Sequence, residues 1–586
     1  MIVSSAPPRI PEGPFPFEPR LAGPPPASAA ALDTAVADLV ARRAAWVGVP
    51  VSERIAILDE LRRSVTAVAD EWTDVSLAAE GLDPADPTAY EEAVVGPYLM
   101  LRNLRLLRDA LVGIERTGRP RIPGPVWTRP DGTVVARVVP GDPLDRLLFL
   151  GVTADVWMAP GVTKDGLAGE MARAYREPDD GGVCLVLGAG NVTSIAPMDV
   201  LYKLFVENRV VILKTHPVLG HLGPAMEAAL APLVDRCFVR VLHGAAAEGA
   251  HLVGHPDVDQ LHITGSVRTY ENIVFGPGEA GQERRRRDEP ILHKPFTAEL
   301  GNVTPIIIVP GRWSSSDIAY HADNVSSMLT NNAGFNCTAA RVVVTHASWP
   351  QRAEFLDALR ARFAGAAPRL AYYPGAAERW DAYRGAHPEA EAYGERSDGH
   401  LPWMLVTGLD PAAADEPCYT TEAFCSLTGE TAIEAPDAAT FVDRAVEFSN
   451  ERLWGTLTAT LIASPAAWRD PEVGEALHRA ERDLRYGTIS FNHWSAAGYA
   501  LAAPPWGAYP GHVRTDIGSG VGFVHNTLMF DRPQKTVMRA PFRAIPKPFW
   551  FTGHRRAHEV ARRLVSLEAK RSVLELPGLF LDAFRG

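Results

Sequence analysis

Apolar residues recur with helical spacing along the first part of the chain. Residues 32–80 carry apolar side chains every three or four positions, interrupted at Gly48 and Pro50, which predicts two or three amphipathic helices. A further helix is predicted over Tyr90–Leu111. From about residue 125 to 160 the pattern changes to short β-branched runs separated by turn residues, which indicates a hairpin or a small sheet.

Short apolar runs then alternate with amphipathic segments. Four strands are predicted at GVCLVLGAG, RVVILKT, FVRVLHG and VDQLHITG, and a helical pattern follows each of them. Such alternation across short connections is typical of a parallel sheet that helices cover on both faces. The alternation resumes at PIIIVPG and continues to about residue 500, so the pattern predicts a second doubly wound α/β domain.

Composition narrows the class of protein. With 586 residues, 46% hydrophobic and 22% charged, the chain is long enough for two or three globular domains. A net charge of −12 argues against nucleic-acid binding. The single conspicuous basic run, RRRR at 284–287, has acidic neighbours and is interpreted as part of a solvated loop insertion at 277–290.

The N-terminal sequence and the cysteine content bear on the cellular compartment. The first 33 residues contain nine prolines and no apolar core of a signal peptide, so they are interpreted as an extended or disordered arm. No segment reaches the roughly 20 apolar residues of a membrane span. Five cysteines without a CxxC pair favour neither disulfides nor a zinc site. We therefore expect a cytoplasmic protein without a metal.

Polar and small residues collect where the predicted strands end, which is where parallel α/β sheets bind ligands. They are Gly188, Gly190 and Asn191 after the first strand, Lys214 at the end of the second, and Thr264, Gly265 and Ser266 after the fourth. Ser266 at a helix N-terminus suits a phosphate, and Lys214 suits a ribose hydroxyl or a phosphate. GAGNV does not match GxGxxG, so the ordinary dinucleotide fingerprint is absent.

The stretch NNAGFNCTAARVVV places Cys337 between a small, polar segment and a buried strand. Cysteine usually behaves as a core hydrophobe, yet the residues around Cys337 build no apolar wall. Its spacing alone still favours an inert residue over a nucleophile. Glu299, which lies among apolar and small residues, is on its own equally well explained as an ion-paired residue or as a general base.

Seven short motifs, taken together and in order, resemble those of the aldehyde dehydrogenase superfamily. They are GAGN (188–191), VVILK (210–214), ITGS (263–266), AELG (298–301), NNAGFNC (331–337), TEAF (421–424) and GTISFN (487–492). The resemblance covers about residues 35 to 555. It implies a Rossmann-like cofactor domain, a catalytic domain and a small β oligomerisation element, with assembly into a homodimer or homotetramer.

On this resemblance the chain divides into four parts. A Pro-rich arm occupies residues 1–30, and an NAD(P)-binding domain occupies 31–305, with the β-rich oligomerisation segment near 125–160. The catalytic domain follows at 306–510. Residues 511–586 form a C-terminal oligomerisation arm and terminal helices.

The resemblance also implies a role for each candidate residue. Cys337 is the nucleophile, Glu299 is the general base, and Asn191 forms the oxyanion hole with the backbone N–H of Cys337. The cofactor-binding positions are Gly190, Lys214, Thr264, Gly265, Ser266, Glu422 and Phe424, and Trp506 lies in the substrate pocket. The implied reaction oxidises an aldehyde to a carboxylic acid with NAD or NADP, through a thiohemiacetal and a thioester that water hydrolyses.

Three positions depart from the family pattern. Pro217 stands where a glutamate commonly binds the adenosine ribose and repels a 2′-phosphate, and the adjacent His216 could bind such a phosphate, so NAD and NADP both stay open. Asn302 replaces a glycine, and Phe335 replaces a glutamine or glutamate. Two alternatives remain: an enzyme that uses coenzyme A, as an acylating dehydrogenase or acyl-CoA reductase, and a nucleotide-binding homologue without catalysis.

Overall fold

The computed structural model of the chain describes residues 10–11 and 18–586. Of the predicted Pro-rich arm, residues 1–9 and 12–17 lie outside the described residues. Residues 22–28 have no regular secondary structure and lead into the first helix, where the hydroxyl of Ser28 accepts a hydrogen bond from the N–H of Ala31.

Helices make up the first hundred described residues, as the apolar spacing predicts. They are α1 (Ala29–Val40), α2 (Arg43–Val47), α3 (Val51–Glu80), α4 (Tyr90–Ala93) and α5 (Leu99–Thr117). The predicted break falls at Gly48 and Pro50, between α2 and α3. The single helix predicted over Tyr90–Leu111 is instead two helices joined by a π-helical turn at Val94–Tyr98.

The β-rich segment forms three antiparallel strands with two short helices. They are β1 (Val126–Thr128), β2 (Val134–Val139), α6 (Pro143–Leu148), β3 (Thr153–Met158) and α7 (Arg173–Arg176). β2 pairs with β1 on one side and with β3 on the other. This arrangement agrees with the hairpin or small sheet that the β-branched runs predict.

The four predicted strand–helix units build a first sheet. Its elements are β4 (Val183–Leu187), α8 (Ile195–Leu201), β5 (Val210–Lys214), α9 (Gly223–Val234), β6 (Val239–Leu242), α10 (Ala246–Gly254), β7 (Gln260–Gly265), α11 (Val267–Phe275), α12 (Gly278–Arg287) and β8 (Phe296–Leu300). The five strands are parallel, in the order β6-β5-β4-β7-β8. The carboxyl ends of all five strands therefore lie at one edge.

The basic run at 284–287 is helical, so its interpretation as a loop is wrong. Glu283 forms ion pairs with Arg286 and Arg287, three and four residues further along α12. Pairs at this spacing lie on the same face of a helix and stabilise it. Glu283, one of the acidic neighbours that suggest a solvated loop, therefore supports the helix.

The rest of the chain alternates between strands and helices and then ends in two helices. The elements are β9 (Pro305–Ile308), α13 (Ser315–Thr330), β10 (Val342–His346), α14 (Arg352–Gly365), β11 (Arg369–Leu370), α15 (Ala376–Ala386), β12 (Glu391–Tyr393), β13 (His400–Leu401), β14 (Trp403–Leu409), α16 (Pro417–Thr420), β15 (Leu427–Ile433), α17 (Ala438–Arg452), β16 (Thr458–Ile462), α18 (Pro465–Arg469), α19 (Pro471–Asp483), β17 (Thr488–Phe491), α20 (Ala497–Ala500), β18 (Pro505–Trp506), β19 (Gly520–Val521), β20 (Val524–His525), β21 (Pro533–Arg539), α21 (Ala557–Lys570) and α22 (Leu576–Phe584). β19 adds an antiparallel strand to the first sheet, beside β8.

The second sheet has eleven strands in the order β12-β14-β15-β10-β9-β16-β17-β21-β3-β2-β1. The strands from β14 to β21 are parallel, and the strands outside that range pair antiparallel. The predicted fold class, two parallel α/β sheets with a small antiparallel element, is confirmed. β21 joins that element to β17 within the same chain, and its role in oligomer contacts stays a prediction.

None of the helices within residues 10–11 and 18–586 is both long and apolar enough to cross a membrane.

Candidate active site

The loop that carries Cys337 has a backbone that its sequence explains. It connects α13 to β10, and Asn332 and Gly334 have φ angles of +51° and +83°. A Cβ atom at Gly334 would lie 2.7 Å from the carbonyl oxygen of Cys425, so the position accepts only glycine. The buried guanidinium of Arg341 donates to the carbonyl oxygens of Gly334 (2.6 Å) and Cys425 (2.8 Å), which fastens the loop to the second sheet.

The asparagines around Cys337 are buried rather than solvated. Asn332 and Asn336 are 4% and 7% exposed. The amide of Asn336 donates to Asn331 Oδ1 at 2.8 Å, and the hydroxyl of Tyr372 donates to Asn332 Oδ1 at 2.6 Å. Buried amides are tolerated when their hydrogen bonds are made. The polar stretch is thus an internal network that holds the loop in one conformation.

Asn191 connects this loop to the first sheet. It follows β4, and its Nδ2 donates to the carbonyl oxygen of Phe335 at 2.8 Å. Its own carbonyl oxygen accepts from Asn332 Nδ2 at 2.7 Å and from the hydroxyl of Tyr372 at 3.2 Å. Residues that are 141 to 181 positions apart in sequence are thereby brought together beside Cys337.

Cys337, Glu299, Asn191 and Trp506 line one cavity with a volume of about 290 Å³. Cys337 lies deep in the protein and is partly exposed to this cavity. Trp506 is buried and packs edge-on against Tyr499, with 5.6 Å between the ring centroids. The structure therefore brings the predicted nucleophile, base, oxyanion donor and pocket residue to one space.

The two reactive groups share an apolar environment that disfavours charge on either of them. Burial, followed by the negative charges of Asp199 and Glu422, raises the pKa of Glu299 well above its ordinary value. Burial and the charge of Glu299 likewise raise the pKa of the Cys337 thiol. Glu299 Oε1 is buried without a hydrogen-bond partner in the part of the chain that the structure describes, so it is available to a water molecule or a substrate.

Asp199 is a site residue that sequence reasoning missed. It lies on α8, is 1% exposed, and accepts a hydrogen bond from Thr264 Oγ1 at 2.9 Å. His262 Nε2 lies 3.4 Å from the same carboxylate, and His262 Nδ1 lies 2.9 Å from Thr297 Oγ1. His262 is thus a satisfied buried residue, as its place in a strand suggests. The sequence feature that could have revealed Asp199 is a carboxylate inside the apolar run IAPMDVL.

The predicted phosphate and ribose positions lie along the carboxyl edge of the first sheet. Ser266 caps the N-terminus of α11, where its Oγ accepts from the N–H of Thr269 at 3.2 Å, and Gly265 beside it is exposed. Lys214 ends β5 in a buried position, and burial lowers its pKa to about 8. A helix N-terminus next to an exposed glycine can receive a phosphate without steric hindrance.

Position 190 requires glycine because the imidazole of His216 packs against it. A Cβ atom at Gly190 would lie 2.3 Å from His216 Nδ1, and the imidazole stacks on Tyr373 with 6.0 Å between centroids. Burial, assisted by the charge of Lys214, lowers the pKa of His216 to about 3. The ring is therefore neutral near pH 7, so the idea that a charged His216 could bind a 2′-phosphate is not supported.

Glu422 approaches the main chain of the AELG motif. Its Oε1 accepts from the N–H of Asn302 at 3.1 Å, and a Cβ atom at Gly301 would lie 1.8 Å from its Oε2. Burial raises the pKa of Glu422 to about 7, against the opposing effect of Arg341. Gly301 thus leaves room for this carboxylate beside the main chain.

The structure accounts for the two substitutions near the site. The Asn302 amide is fully buried and donates to the carbonyl oxygen of Thr458 at 2.8 Å, so it joins β8 to β16 instead of facing the cavity. Phe335 packs in an aromatic cluster with Tyr372, Tyr373 and Phe424. Both substitutions fill internal space and add no reactive group to the cavity.

Three potential metal ligands lie close together outside the cavity lining: His387, Glu416 and Cys418. His387 Nε2 is 3.0 Å from Glu416 Oε1, and its Nδ1 is 3.3 Å from Glu389 Oε1. The hydrogen bond with Glu416, followed by the opposing effect of burial, leaves the pKa of His387 raised. Two carboxylates that hydrogen-bond to one histidine explain this group without a metal ion.

Known proteins resemble this chain in part of its sequence and in its fold. Residues 156–367 match the aldehyde dehydrogenase family. Aldehyde dehydrogenase LUC3 from Fusarium sp is 26% identical over 161 residues, which is 27% of this chain and 32% of that protein. The match thus spans about a third of that relative.

Solved structures resemble the chain over most of its length. NADP-dependent glyceraldehyde-3-phosphate dehydrogenase from Bacillus halodurans, complexed with NADP, aligns with 88% of this chain and 92% of its own, at 16% identity and a TM-score of 0.58. Indole-3-acetaldehyde dehydrogenase AldA from P. syringae, in complex with NAD⁺, aligns with 89% and 92% at 16% identity and a TM-score of 0.59. The superfamily resemblance that the seven motifs indicate is confirmed.

Proposed function

Since this chain carries the aldehyde dehydrogenase signature over residues 156–367 and the fold of that superfamily over most of its length, we propose that it oxidises an aldehyde to a carboxylic acid with NAD or NADP. The observation that carries the proposal is the single cavity lined by Cys337, Glu299 and Asn191. A nucleophile, a base with a raised pKa and an amide donor are the groups that acyl chemistry through a thioester requires.

The residues at the edge of the first sheet fit a dinucleotide. The N-terminus of α11 at Ser266 offers N–H groups to the pyrophosphate, while Lys214 and Glu422 are polar groups for the two riboses. The space left at Gly265 and at Gly301 admits the ligand and the Glu422 carboxylate. The bound cofactor supplies one chemical function, which is to accept a hydride from the substrate carbon.

Cys337 acts first. Its Sγ forms a bond to the aldehyde carbon, the carbonyl electron pair moves to the oxygen, and the thiol proton passes to that oxygen, which gives a thiohemiacetal. Asn191 and the N–H of Cys337 donate to that oxygen, and such donors are typically worth about 10²–10³ in rate. Loss of the hydride from the carbon to the cofactor, and of the hydroxyl proton to solvent, then re-forms the carbonyl as a thioester on Cys337.

Glu299 acts in the second half of the reaction. A water molecule attacks the thioester carbon, Glu299 takes its proton, and the bond to Cys337 Sγ breaks, which releases the carboxylic acid. A carboxylate in an apolar environment is a stronger base than one in water, because burial raises its pKa. Its unpartnered Oε1 is positioned to accept that proton.

A carboxylate beside Lys214 favours NAD over NADP. Glu248, on α10, is close enough to Lys214 that its charge raises the pKa of the ammonium group against burial. Its Oε2 accepts from the N–H of Ala245 at 2.7 Å, which fixes it at the helix start. A fixed negative charge there repels a 2′-phosphate, as the glutamate replaced by Pro217 would do.

The test follows nicotinamide reduction by the purified protein with short, long and aromatic aldehydes, using NAD⁺ and NADP⁺ separately. We expect reduction without coenzyme A that the Cys337→Ser variant loses. Reduction only when coenzyme A is present would instead identify an acylating enzyme. Cofactor binding without turnover of any aldehyde would identify a homologue that has lost catalysis.

A further inference from the structure

The cavity at Cys337 continues as an apolar channel towards the C-terminal helices. Beyond the polar end, its lining includes residues 147–152, the Pro-rich stretch 540–551, α21 and α22. Trp494 and Trp550 pack against each other in its wall, with 5.4 Å between their ring centroids. Leu564 on α21 and Leu579 on α22 complete the far wall. A ligand that reaches Cys337 therefore passes along hydrocarbon surface.

The outer end of the channel opens through exposed apolar residues. Leu147, Leu150 and Ile545 line the cavity and are 39%, 49% and 74% exposed, so they mark its mouth. Leu581 and Phe584, which are also exposed, directly follow the lining residues Phe580 and Ala583 on α22. Large exposed apolar side chains that gather at one opening indicate an apolar ligand.

The channel offers few charges to a polar tail. Among the described residues that line it, the acidic and basic side chains are Glu91, Glu299, Lys547 and His493, and burial lowers the pKa of His493. Glu91 lies 3.3 Å from the guanidinium of Arg369, and Lys547 Nζ donates to the carbonyl oxygen of Gly553 at 2.9 Å. Glu299 stands at the reactive end. A charged group on the substrate would thus be desolvated without a partner along the channel, except beside Lys547.

The far wall is held firmly in place. The carboxylate of Glu568, on α21, accepts from Arg105 Nε at 2.7 Å in a buried position. Asp582, on α22, accepts from Arg563 Nε on α21 at 2.7 Å. These contacts fix both terminal helices to the body of the protein, so the channel is a built feature of the fold.

We propose that the substrate is an aldehyde with a long, uncharged hydrocarbon chain, which lies along this channel while its carbonyl carbon meets Cys337. The inference rests on the proposed aldehyde oxidation and names its substrate class. Each methylene that enters the channel leaves water, so kcat/KM should rise roughly fourfold per added methylene until the channel is full.

The first experiment measures kcat/KM for unbranched aldehydes from acetaldehyde to hexadecanal. We expect a steady rise with chain length followed by a plateau, and weak activity with glyceraldehyde 3-phosphate. Equal kcat/KM for butanal and dodecanal would overturn the inference and leave the proposed function intact.

Variants test where the hydrocarbon chain of the substrate lies. Ala583→Trp on α22 and Ala544→Trp in the Pro-rich stretch narrow the channel, and each should lower kcat/KM for dodecanal about tenfold while activity with butanal is retained. Arg585→Trp is the matched control, because this exposed residue on the same chain end does not line the cavity. If kcat/KM for dodecanal falls equally in the control, the hydrocarbon chain of the substrate does not lie in this channel.

A binding experiment separates the inference from the proposed reaction. Dodecan-1-ol and butan-1-ol are titrated into the Cys337→Ser variant by calorimetry, which needs no turnover. Tighter binding of the longer alcohol, weakened by Ala583→Trp, supports the channel even if no aldehyde is oxidised. Equal binding of the two alcohols would overturn the inference.

Discussion

The side-chain amide of Asn191 donates a hydrogen bond to the carbonyl oxygen of Phe335, with 2.8 Å between Nδ2 and O. One end of the first sheet is thereby tied to the loop that presents Cys337, two residues beyond Phe335. The second N–H of this amide meets no acceptor among residues 10–11 and 18–586. The same side chain can therefore hold the loop and donate to a substrate oxygen.

Replacement of Asn191 by alanine should lower kcat by about 10²–10³, because one oxyanion donor is lost. Steady-state kinetics with one aldehyde measures the effect, and an unchanged Tm would show that the loop still folds. Tyr372→Phe is the control, since it removes hydrogen bonds to the Asn191 carbonyl oxygen and to Asn332 without touching the amide donor. A similar loss of kcat in that variant would assign Asn191 a structural role alone.

The pH dependence of the reaction should follow Glu299. Burial and then the charge of Asp199 raise its pKa, so the active, deprotonated base forms only as pH rises through that raised value. Asp199→Asn removes a neighbouring negative charge and should move the acid limb of the kcat profile to lower pH. An acid limb that stays in place would exclude coupling between these two carboxylates.

Alkylation should report the protonation of Cys337. Its pKa is raised by burial and by the charge of Glu299, so iodoacetamide should react slowly near pH 7 and faster as pH rises. Glu299→Gln removes the negative charge and should speed the reaction at pH 8 to 9. Mass spectrometry of the digested protein measures labelling at each cysteine, with the fully buried Cys184 as internal control.

Cofactor choice should depend on Glu248. Glu248→Gln removes a carboxylate beside Lys214 without changing its size, so KM for NADP⁺ should fall while KM for NAD⁺ changes little. Glu279→Gln, at the start of α12, is a comparable change at another helix start and should leave both constants alone. A higher KM for NADP⁺ in the Glu248 variant would contradict the repulsion argument.

The sequence predicts local features well and long-range contacts poorly. A run such as VVILK indicates a buried strand from five residues alone. Because parallel strands end at one edge of the sheet, the residues that follow them can also be predicted to lie together. Arg341 and Asp199 could not be placed, because their partners Cys425 and Thr264 are 84 and 65 residues away. The packing of His216 on Gly190 and Tyr373 was missed for the same reason.

Stability at low pH should depend on Glu568, which anchors the wall of the channel. Burial would raise its pKa, but hydrogen bonds and charge from Arg105 outweigh burial and lower it below the ordinary value. Its contribution is therefore complete above the unfolded pKa of about 4.3 and is lost as pH falls through the lower folded value. Glu568→Gln should lower the free energy of unfolding at pH 7 by about 3–5 kcal/mol, because Arg102 and Arg105 keep buried charges with less compensation.

Urea unfolding at pH 7 and at pH 4 measures this contribution. The difference between the wild-type chain and Glu568→Gln should shrink as pH falls, since protonation of Glu568 removes the same charge that the substitution removes. Glu559→Gln, on the same helix but half-buried, is the control and should cost less than about 1 kcal/mol. A Glu568 effect as small as that of Glu559 would mean that the buried ion pairs do not hold the terminal helices against the channel.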